Sequence, residues 1–569
     1  MRRIILMLIV LPLGSFAQLK IGIDTTFLVG NDKQIYDYRK VEIDKNNNKY
    51  VMGYFNGTTT IGGVTLFSNS QQSNSKAIFL AKYNSSDSFQ WVKKIAEGDS
   101  IYYSPFTIDH SQNIIITITF ANQIYFNQDS IMSFGRRDGL VLKYDSNSIF
   151  KNSNHIGGIN DDELSKNKAS IDSNNSYYVS GYFNGSWSNN SPGYSLAFGQ
   201  DTLSGSTMDM FIVKYDSLGN TVWAKSYGGL GEDYIFDLQW FQNKIYFIGG
   251  LYNPTQTNDI GGLNVNFPAN YSSKAIIVKL DSLGNAIWIK RFGAEYFSMG
   301  ATSIEVMRNR VFITGHAFSN NQNVFLFDGG PTLTGTDQRD YFIAAYDTNG
   351  TFKWNTISQS AGSESLSQLK TDSMCNVYGI GSCNYTIRFP SDTLYSYGGD
   401  DVMVCSYDSN GVYRWAFNAG GSSTDIGSAI AADANGVLYI AGGTTSTECY
   451  MGNDTLYPPS GQSTFFYARL DSIPIIAPLG VSHTSKETQG ISIYPNPTQD
   501  NIGITFSTAT SVRTFIELYN TLGQRVSTTE VPIGTLQLAL DLRIIGNGIY
   551  YIKYQNGKNV LSQKIIVQH

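Results

Sequence analysis

The chain has 569 residues, only 15% of them charged, and a formal net charge of -6. So thin and slightly acidic a charge gives no basic field to gather phosphate backbones, which sets nucleic acid aside as a partner. The polar residues are mainly Asn, Ser, Thr and Gly, alongside 37 Tyr and 32 Phe, a mixture that suits strands and turns rather than helices.

In chain order, the first predicted element is a secretory signal over residues 1–17. MRR supplies the positive start, IILMLIVLPLG the short apolar middle, and Ser15 and Ala17 the small residues before a cut at Gln18. The apolar run falls short of the ~20 residues a membrane-spanning helix needs, and no later stretch approaches that length, so no transmembrane span is expected. No cysteine follows the cut to carry a lipid anchor.

The next elements repeat. FIVKYDSLGNTVWAKSYGG, from Phe211, recurs as AIFLAKYNSSDSFQWVKK from Ala77, DGLVLKYDSNSIFKN from Asp138, KAIIVKLDSLGNAIWIKRFG from Lys274, DYFIAAYDTNGTFKWN from Asp340, DVMVCSYDSNGVYRWAFNAGG from Asp401 and STFFYARLDS from Ser463. The aligned residues Tyr83, Tyr144, Tyr215, Leu280, Tyr346, Tyr407 and Leu470 stand 61 to 71 residues apart, a period near 64. A second apolar strand, such as NKYVMGYFNG from Asn48 or NKIYFIGG from Asn243, keeps step with the first. Ahead of it lies an alternating run that ends at an Asp turn, such as KVEIDKN from Lys40. Each unit therefore reads as strand, Asp turn, strand, variable hairpin, strand, DSxG turn, strand.

A sheet with Phe211, Val213 and Tyr215 on one face and Ile212 on the other is apolar on both sides and cannot stand alone in water. Stacking such sheets around an axis buries both faces, and closing the ring leaves only short edges. The expected fold is all-β: a seven-bladed β-propeller over residues 18–472, with six or eight blades as alternatives, a linker over 473–488 and a small C-terminal β-sandwich over 489–569. The competing architectures are an open solenoid, whose repeats are usually shorter and whose ends need caps, and a string of small β domains. The seventh copy stops at FYARLDS, while DTTFLVGNDKQIYDY from Asp24 supplies its missing half. A strand near residues 25–30 should therefore pair with the one around Phe466 to Leu470 and complete the last blade.

The run DMFIVKYDSLGNTVWAKSYGGLGED, from Asp209 to Asp233, resembles the bacterial β-propeller repeat family (SBBP type) in its Asp-x-Phe, Lys-Tyr-Asp, Gly-Asn, Trp and Gly-Gly positions. The likeness extends over residues 24–472 and weakens in the second copy, where Phe150 stands in for Trp. It implies a repeat scaffold of secreted and surface proteins, with no shared enzyme activity. Beyond the linker, Tyr494, Pro495, Asn496 and Pro497, then Leu518, Tyr519, Asn520, Leu522, Gly523 and Val526, then Gly548, Tyr550 and Lys564 to Val567 are similar to the C-terminal sorting domain of the type IX (Por) secretion system of Bacteroidetes. That resemblance implies passage through the periplasm, the outer-membrane secretion machinery as partner, and release or surface attachment once the tail is removed.

Chemistry is sparse. Cys375, Cys383, Cys405 and Cys449 include no CxxC, and Cys375 and Cys383 could meet across a hairpin, which the sequence does not show. His110, His155, His316, His483 and His569 share no metal-ligand spacing. The pairs Asp161 and Asp162, and Asp400 and Asp401, adjoin turns where Asp caps backbone N–H groups. Asp145, Asp216, Asp281, Asp347 and Asp408 recur in the DSxG turns and are the weak candidates for calcium; each turn brings one carboxylate, which fits a turn role better than an ion site. No other cofactor is expected. Trp91, Trp223, Trp288, Trp354 and Trp415 recur in register and serve packing, so a unique aromatic such as Trp187 is the better candidate for ligand contact.

Two functions compete. One is a secreted or surface propeller that binds a protein or glycan; the other is an extracellular hydrolase or lyase acting on polysaccharide at the central channel. The lack of catalytic motifs favours the first, and a unique cluster of polar residues at the channel would favour the second.

Overall fold

The computed structural model describes residues 19–22, 26–27, 40–68, 76–184, 194–198, 201–205, 208–229, 231–252, 258–267, 273–294, 299–318, 324–336, 339–358, 360, 362–433, 436–452, 454–458, 464–472, 491–495, 498, 500–506, 509–510, 514–520, 525–556 and 559–568. The expected signal segment, residues 1–17, and the expected linker, residues 473–488, lie outside them. Among the described residues all regular elements are strands, and no helix is long and apolar enough to cross a membrane. The described residues divide into two compact units, one within Leu19–Ser472 and one within Ile473–His569.

In the first unit the repeated sequence builds antiparallel groups of strands. The fourth copy shows the pattern: Glu232–Phe241, Lys244–Tyr252, Ser273–Leu280 and Ala286–Ala294 pair in chain order. Between the second and third strands stands a short hairpin, here Asn258–Ile260 with Leu263–Val265. The third strand reads as a near-continuous apolar run because both its faces are covered; Ala275, Ile276, Ile277 and Val278 are all buried. The group that ends the unit, Asp425–Ala432, Leu438–Thr444 and Thr464–Ser472, takes its outer strands from the chain start. Leu19 pairs with Ser472 and Gly22 with Arg469, while Thr26 pairs with Phe466 and Phe27 with Phe465. The closing strand expected near residues 25–30 thus begins earlier, at Leu19.

Hydrophobic clusters join each group to the next. Tyr246 and Ile277 of the fourth copy share one with Ile313 and Phe342 of the fifth. Phe312 and Ile343 of the fifth meet Val377 and Met403 of the sixth. Another joins the last copy to the first, with Ala441, Phe465 and Tyr467 against Val51, Phe79 and Ala81. Full burial of one such large side chain is worth about 1.5–3 kcal/mol, so these seams dominate stability. The first strands of the copies also pack in succession: Lys40–Ile43, Phe106–Ile108, Ser170–Ile171, Glu232–Phe241, Met299–Met307, Glu364–Thr371 and Asp425–Ala432, with the last against the first.

The C-terminal unit holds two antiparallel sheets. One runs Ile491–Tyr494, Asn501–Phe506, Gln537–Asp541; the other runs Arg525–Val531, Thr514–Asn520, Gly548–Asn556, Asn559–Val567. In Asn501–Phe506 exposed and buried residues alternate strictly, as a strand with one face to water requires. Its inward residues Ile502, Ile504 and Phe506 share a core with Ile516, Leu518, Ile552 and Ile565 of the other sheet.

Candidate functional site

The packed first strands surround a cavity of about 230 Å³. One register position supplies much of its wall: Glu42, Thr107, Ser170, Gln239, Glu305, Lys370 and Ala431 stand opposite Tyr50, Ile115, Tyr178, Tyr246, Phe312, Tyr378 and Tyr439 on the second strands. The second-strand residues are all large, and all but Ile115 are aromatic, because they serve packing. Their partners vary from copy to copy, only Glu recurring, at Glu42 and Glu305, and Lys40, Asn167, Lys168, Asp237, Ser303 and Gln368 add to the same wall, from which Ala431 alone of the seven is missing.

Three lysines and three carboxylates converge here. Lys168 Nζ lies 2.5 Å from Glu42 Oε1, tying residues 126 apart in sequence, and Lys370 Nζ lies 3.0 Å from Glu305 Oε1. Burial would depress the Lys370 ammonium, but the charges of Glu305, Glu42 and Asp237 hold it above the ordinary lysine range. Burial raises Asp237 to about 7, although the Ile304 N–H and the charges of Lys40 and Lys168 oppose it. Most polar groups also tie one first strand to the next. Ile304 N donates to Asp237 Oδ2 at 2.8 Å, Val306 N to Gln239 Oε1 at 2.5 Å, and Ile430 N to Gln368 Oε1 at 3.0 Å. Inner strand edges need partners for their backbone groups, and these side chains supply them.

A second set of carboxylates lies between copies, where Asp209 meets Asp233 and Asp401 meets Asp425. A Cβ on Gly228 would stand 2.6 Å from both Asp209 Oδ1 and Asp233 Oδ2, so the Gly-Gly position of the repeat lets two carboxylates close on the backbone. Burial, then the neighbouring Asp233 charge, raises Asp209 to about 7. Asp162 is raised to about 7 by burial and then by Asp138, and Asp401 to about 7 by burial with Asp425 adding to it. In the seam between the fifth and sixth copies burial raises Glu364 to about 7, with Asp340 adding to it, and the Ser358 hydroxyl lies within reach of both carboxylates.

The turn aspartates face N–H donors instead of other carboxylates. Asp216 Oδ1 accepts from Leu218 N at 2.9 Å and Asn220 N at 2.8 Å, and Oδ2 accepts from Asn220 Nδ2 at 2.9 Å. Asp145, Asp281, Asp347 and Asp408 each accept from N–H groups two and four residues on. N–H donors fill these carboxylates, and among the described residues no group of three or more His, Cys, Asp or Glu gathers for a metal. Asp161 faces Arg136 and Arg137, and Asp400 accepts from Asn384 Nδ2. His155 Nε2 lies 2.6 Å from Asp138 Oδ2, while burial lowers His316 to about 4. All four cysteines are free and buried, so the meeting of Cys375 and Cys383 that the sequence left open does not occur: Cys375 sits in the turn before the strand Val377–Cys383, and Cys383 ends that strand.

Trp187, Asn496, Pro497 and Gly523 lie outside the described residues. Tyr494 ends a strand opposite Gly503, and exposed Pro495 follows it. Gly548 pairs with Val567, and exposed Lys564 with Tyr551. The cavity charges were not singled out from the sequence. The available signal was variation at a fixed register, two residues before the turn residues Asp44, Asp109, Asp172 and Asp372, where Glu42, Thr107, Ser170 and Lys370 break the repeat.

Residues 492–568 match the secretion system C-terminal sorting domain family. The C-terminal unit is therefore a type IX sorting domain: it engages the type IX secretion machinery, and the protein passes through the periplasm to the cell surface. A WD repeat-containing protein of Acanthamoeba polyphaga mimivirus is 20% identical over 492 residues, 71% of this chain and 35% of that protein, so the chain spans about a third of that curated relative. Among solved structures, a fungal alcohol oxidase in complex with copper aligns over 97% of this chain and 100% of its own, with 10% identity and a TM-score of 0.38. A glycoside hydrolase of family 32 from Bifidobacterium adolescentis aligns over 93% and 95%, with 8% identity and a TM-score of 0.24. At such scores neither structure carries an argument about this chain.

Proposed function

We propose that residues 19–472 form a closed seven-bladed β-propeller, exported by the C-terminal domain, that acts at the cell surface as a binding scaffold for a protein or glycan. The cycle of packed first strands, the cluster joining last copy to first and the pairing of Leu19–Gly22 with Thr464–Ser472 support closure. Likeness to a WD repeat-containing protein supports it too, since that repeat gives four strands per blade. The observation that carries the binding reading is the use of the channel charges. Glu42, Asp237 and Glu305 are engaged by Lys168, the Ile304 N–H and Lys370, so the ring consumes them as ties. The mature chain, screened against arrayed glycans and purified outer-membrane surface proteins, should retain at least one class. Retention of neither would overturn the reading.

The second reading, a hydrolase or lyase acting on polysaccharide, is favoured by the unrepeated channel wall and by Asp237, raised to about 7 by burial, the range suited to general acid–base work. It requires release of new sugar ends from a polysaccharide panel, lost in Asp237→Asn while array binding persists. No release from any substrate would remove it.

A further inference from the structure

The variable hairpin of the sixth unit carries a tyrosine where its counterparts carry residues suited to the backbone. Gly57, Asn122 and Tyr385 occupy one place in three hairpins: the carbonyl of each accepts from a serine N–H, Ser68, Ser133 and Ser396, always at 2.8 Å. All three have left-handed backbones, with φ of 72°, 60° and 57°. Gly adopts this conformation freely and Asn tolerates it, whereas a bulky side chain there is strained. Tyr385 is nonetheless 71% exposed, so its ring repays the strain with no buried contact. Strain kept at an exposed side chain points to a role outside the fold.

Four more tyrosines gather around it. Tyr395 ends the strand Thr393–Tyr395, Tyr397 follows, and the hairpin of the seventh unit adds Tyr450 and Tyr457. Residues Gly420–Gly421 pair with Tyr450 and Cys449, which brings that hairpin against the sixth unit's outer strand. The rings of Tyr397 and Tyr450 stand 5.5 Å apart, and all five tyrosines are at least 40% exposed. Exposure alone belongs to the repeat, because Phe67 and Met132 precede Ser68 and Ser133 as Tyr395 precedes Ser396 and are also exposed. The sixth and seventh units add the concentration of phenols.

We infer that Tyr385, Tyr395, Tyr397, Tyr450 and Tyr457 form a glycan-binding platform, in which ring faces stack on the C–H faces of sugar residues and phenol hydroxyls meet sugar hydroxyls. This rests on the binding-scaffold reading and gives it a ligand class and a place. The chemistry favours a glycan over a protein. Beside the tyrosines in sequence, Ser391, Thr393 and Gly398 are exposed and Asn418 donates to the Tyr395 carbonyl at 2.7 Å, while the apolar Ile387 and Phe389 of the same hairpin are buried, so the exposed surface lacks the contiguous aliphatic floor at the centre of a protein interface. Each tyrosine instead offers an apolar face and a polar edge, which matches a ligand with the same alternation.

The test uses the mature chain on an array of neutral hexose and N-acetylhexosamine oligosaccharides, followed by titration calorimetry of the best ligand. Tyr397→Ala with Tyr450→Ala should weaken binding at least tenfold, and Tyr385→Gly several-fold. Phe67→Ala, at the equivalent exposed site of the first unit, should leave binding unchanged, and all variants should keep the parent's circular dichroism. Glycan binding that survives in the tyrosine variants overturns the platform and leaves the scaffold reading standing. Failure of the parent to bind any oligosaccharide overturns the glycan assignment, as does a surface protein whose binding is lost in the same variants.

Discussion

The two ends of one strand, Met208–Tyr215, treat aspartate in opposite ways. At its start Asp209 is buried beside Asp233 and is raised to about 7; just past its end Asp216 is held below the ordinary carboxylate range. The small burial that would raise Asp216 is outweighed by the Asn220 side chain and the N–H groups of Asn220, Leu218 and Gly219. Both residues are aspartates on one strand, so the difference lies in what each carboxylate faces: donors at the turn, another carboxylate at the seam. Stability should respond with opposite signs. Asp216 contributes above the unfolded carboxylate pKa and its share is lost as pH falls through its folded value. The Asp209 contribution is complete below the unfolded pKa and is lost as pH rises through about 7.

The contrast breaks most sharply at Gly228. An added Cβ would meet both seam carboxylates, and φ of +148° strains any other residue, so Gly228→Ala should cost about 3 kcal/mol, read as a large fall in Tm. Next comes Asp209→Asn, which keeps the shape, donates to Asp233 and removes the charge. The parent should lose on the order of 2 kcal/mol between pH 5 and pH 8 through this group, and the variant should show a correspondingly flatter stability profile. Unchanged pH dependence in the variant would mean that the seam does not titrate as a pair. Asp216→Ala removes the acceptor of three turn hydrogen bonds and should cost about 1.5 kcal/mol at pH 7, and progressively less as pH falls through the folded value of Asp216 and the parent's own carboxylate takes up a proton.

What could be read in the sequence follows from the same physics. Trp223, Tyr215 and the DSLG turn recur because every copy buries the same faces, and a periodic cause leaves a periodic mark. The strand pairing of Thr26 with Phe466 was also legible, since a missing half at one end matched a surplus half at the other. The cavity was not. Lys168 and Glu42 are 126 residues apart, and their meeting depends on where the first strands of two copies come to lie. The seam pairs fall between these cases: Asp209 and Asp233 repeat visibly, but only the close approach across Gly228 shows that they share one buried space.

The smallest expected effect separates folding from function. Tyr385 occupies a left-handed position that Gly57 fills in the first hairpin, with the same carbonyl bond to a serine N–H. Tyr385→Gly should therefore raise stability by about 1 kcal/mol, because the left-handed penalty disappears and the exposed ring takes no packing with it. The measurement is Tm, with Asn122→Gly as the reference for a residue already tolerant of the conformation. A gain in Tm with weaker oligosaccharide binding means that the sixth unit keeps a strained tyrosine for its ligand. A loss in Tm would show that the ring supports the hairpin, and the strain would then belong to the fold.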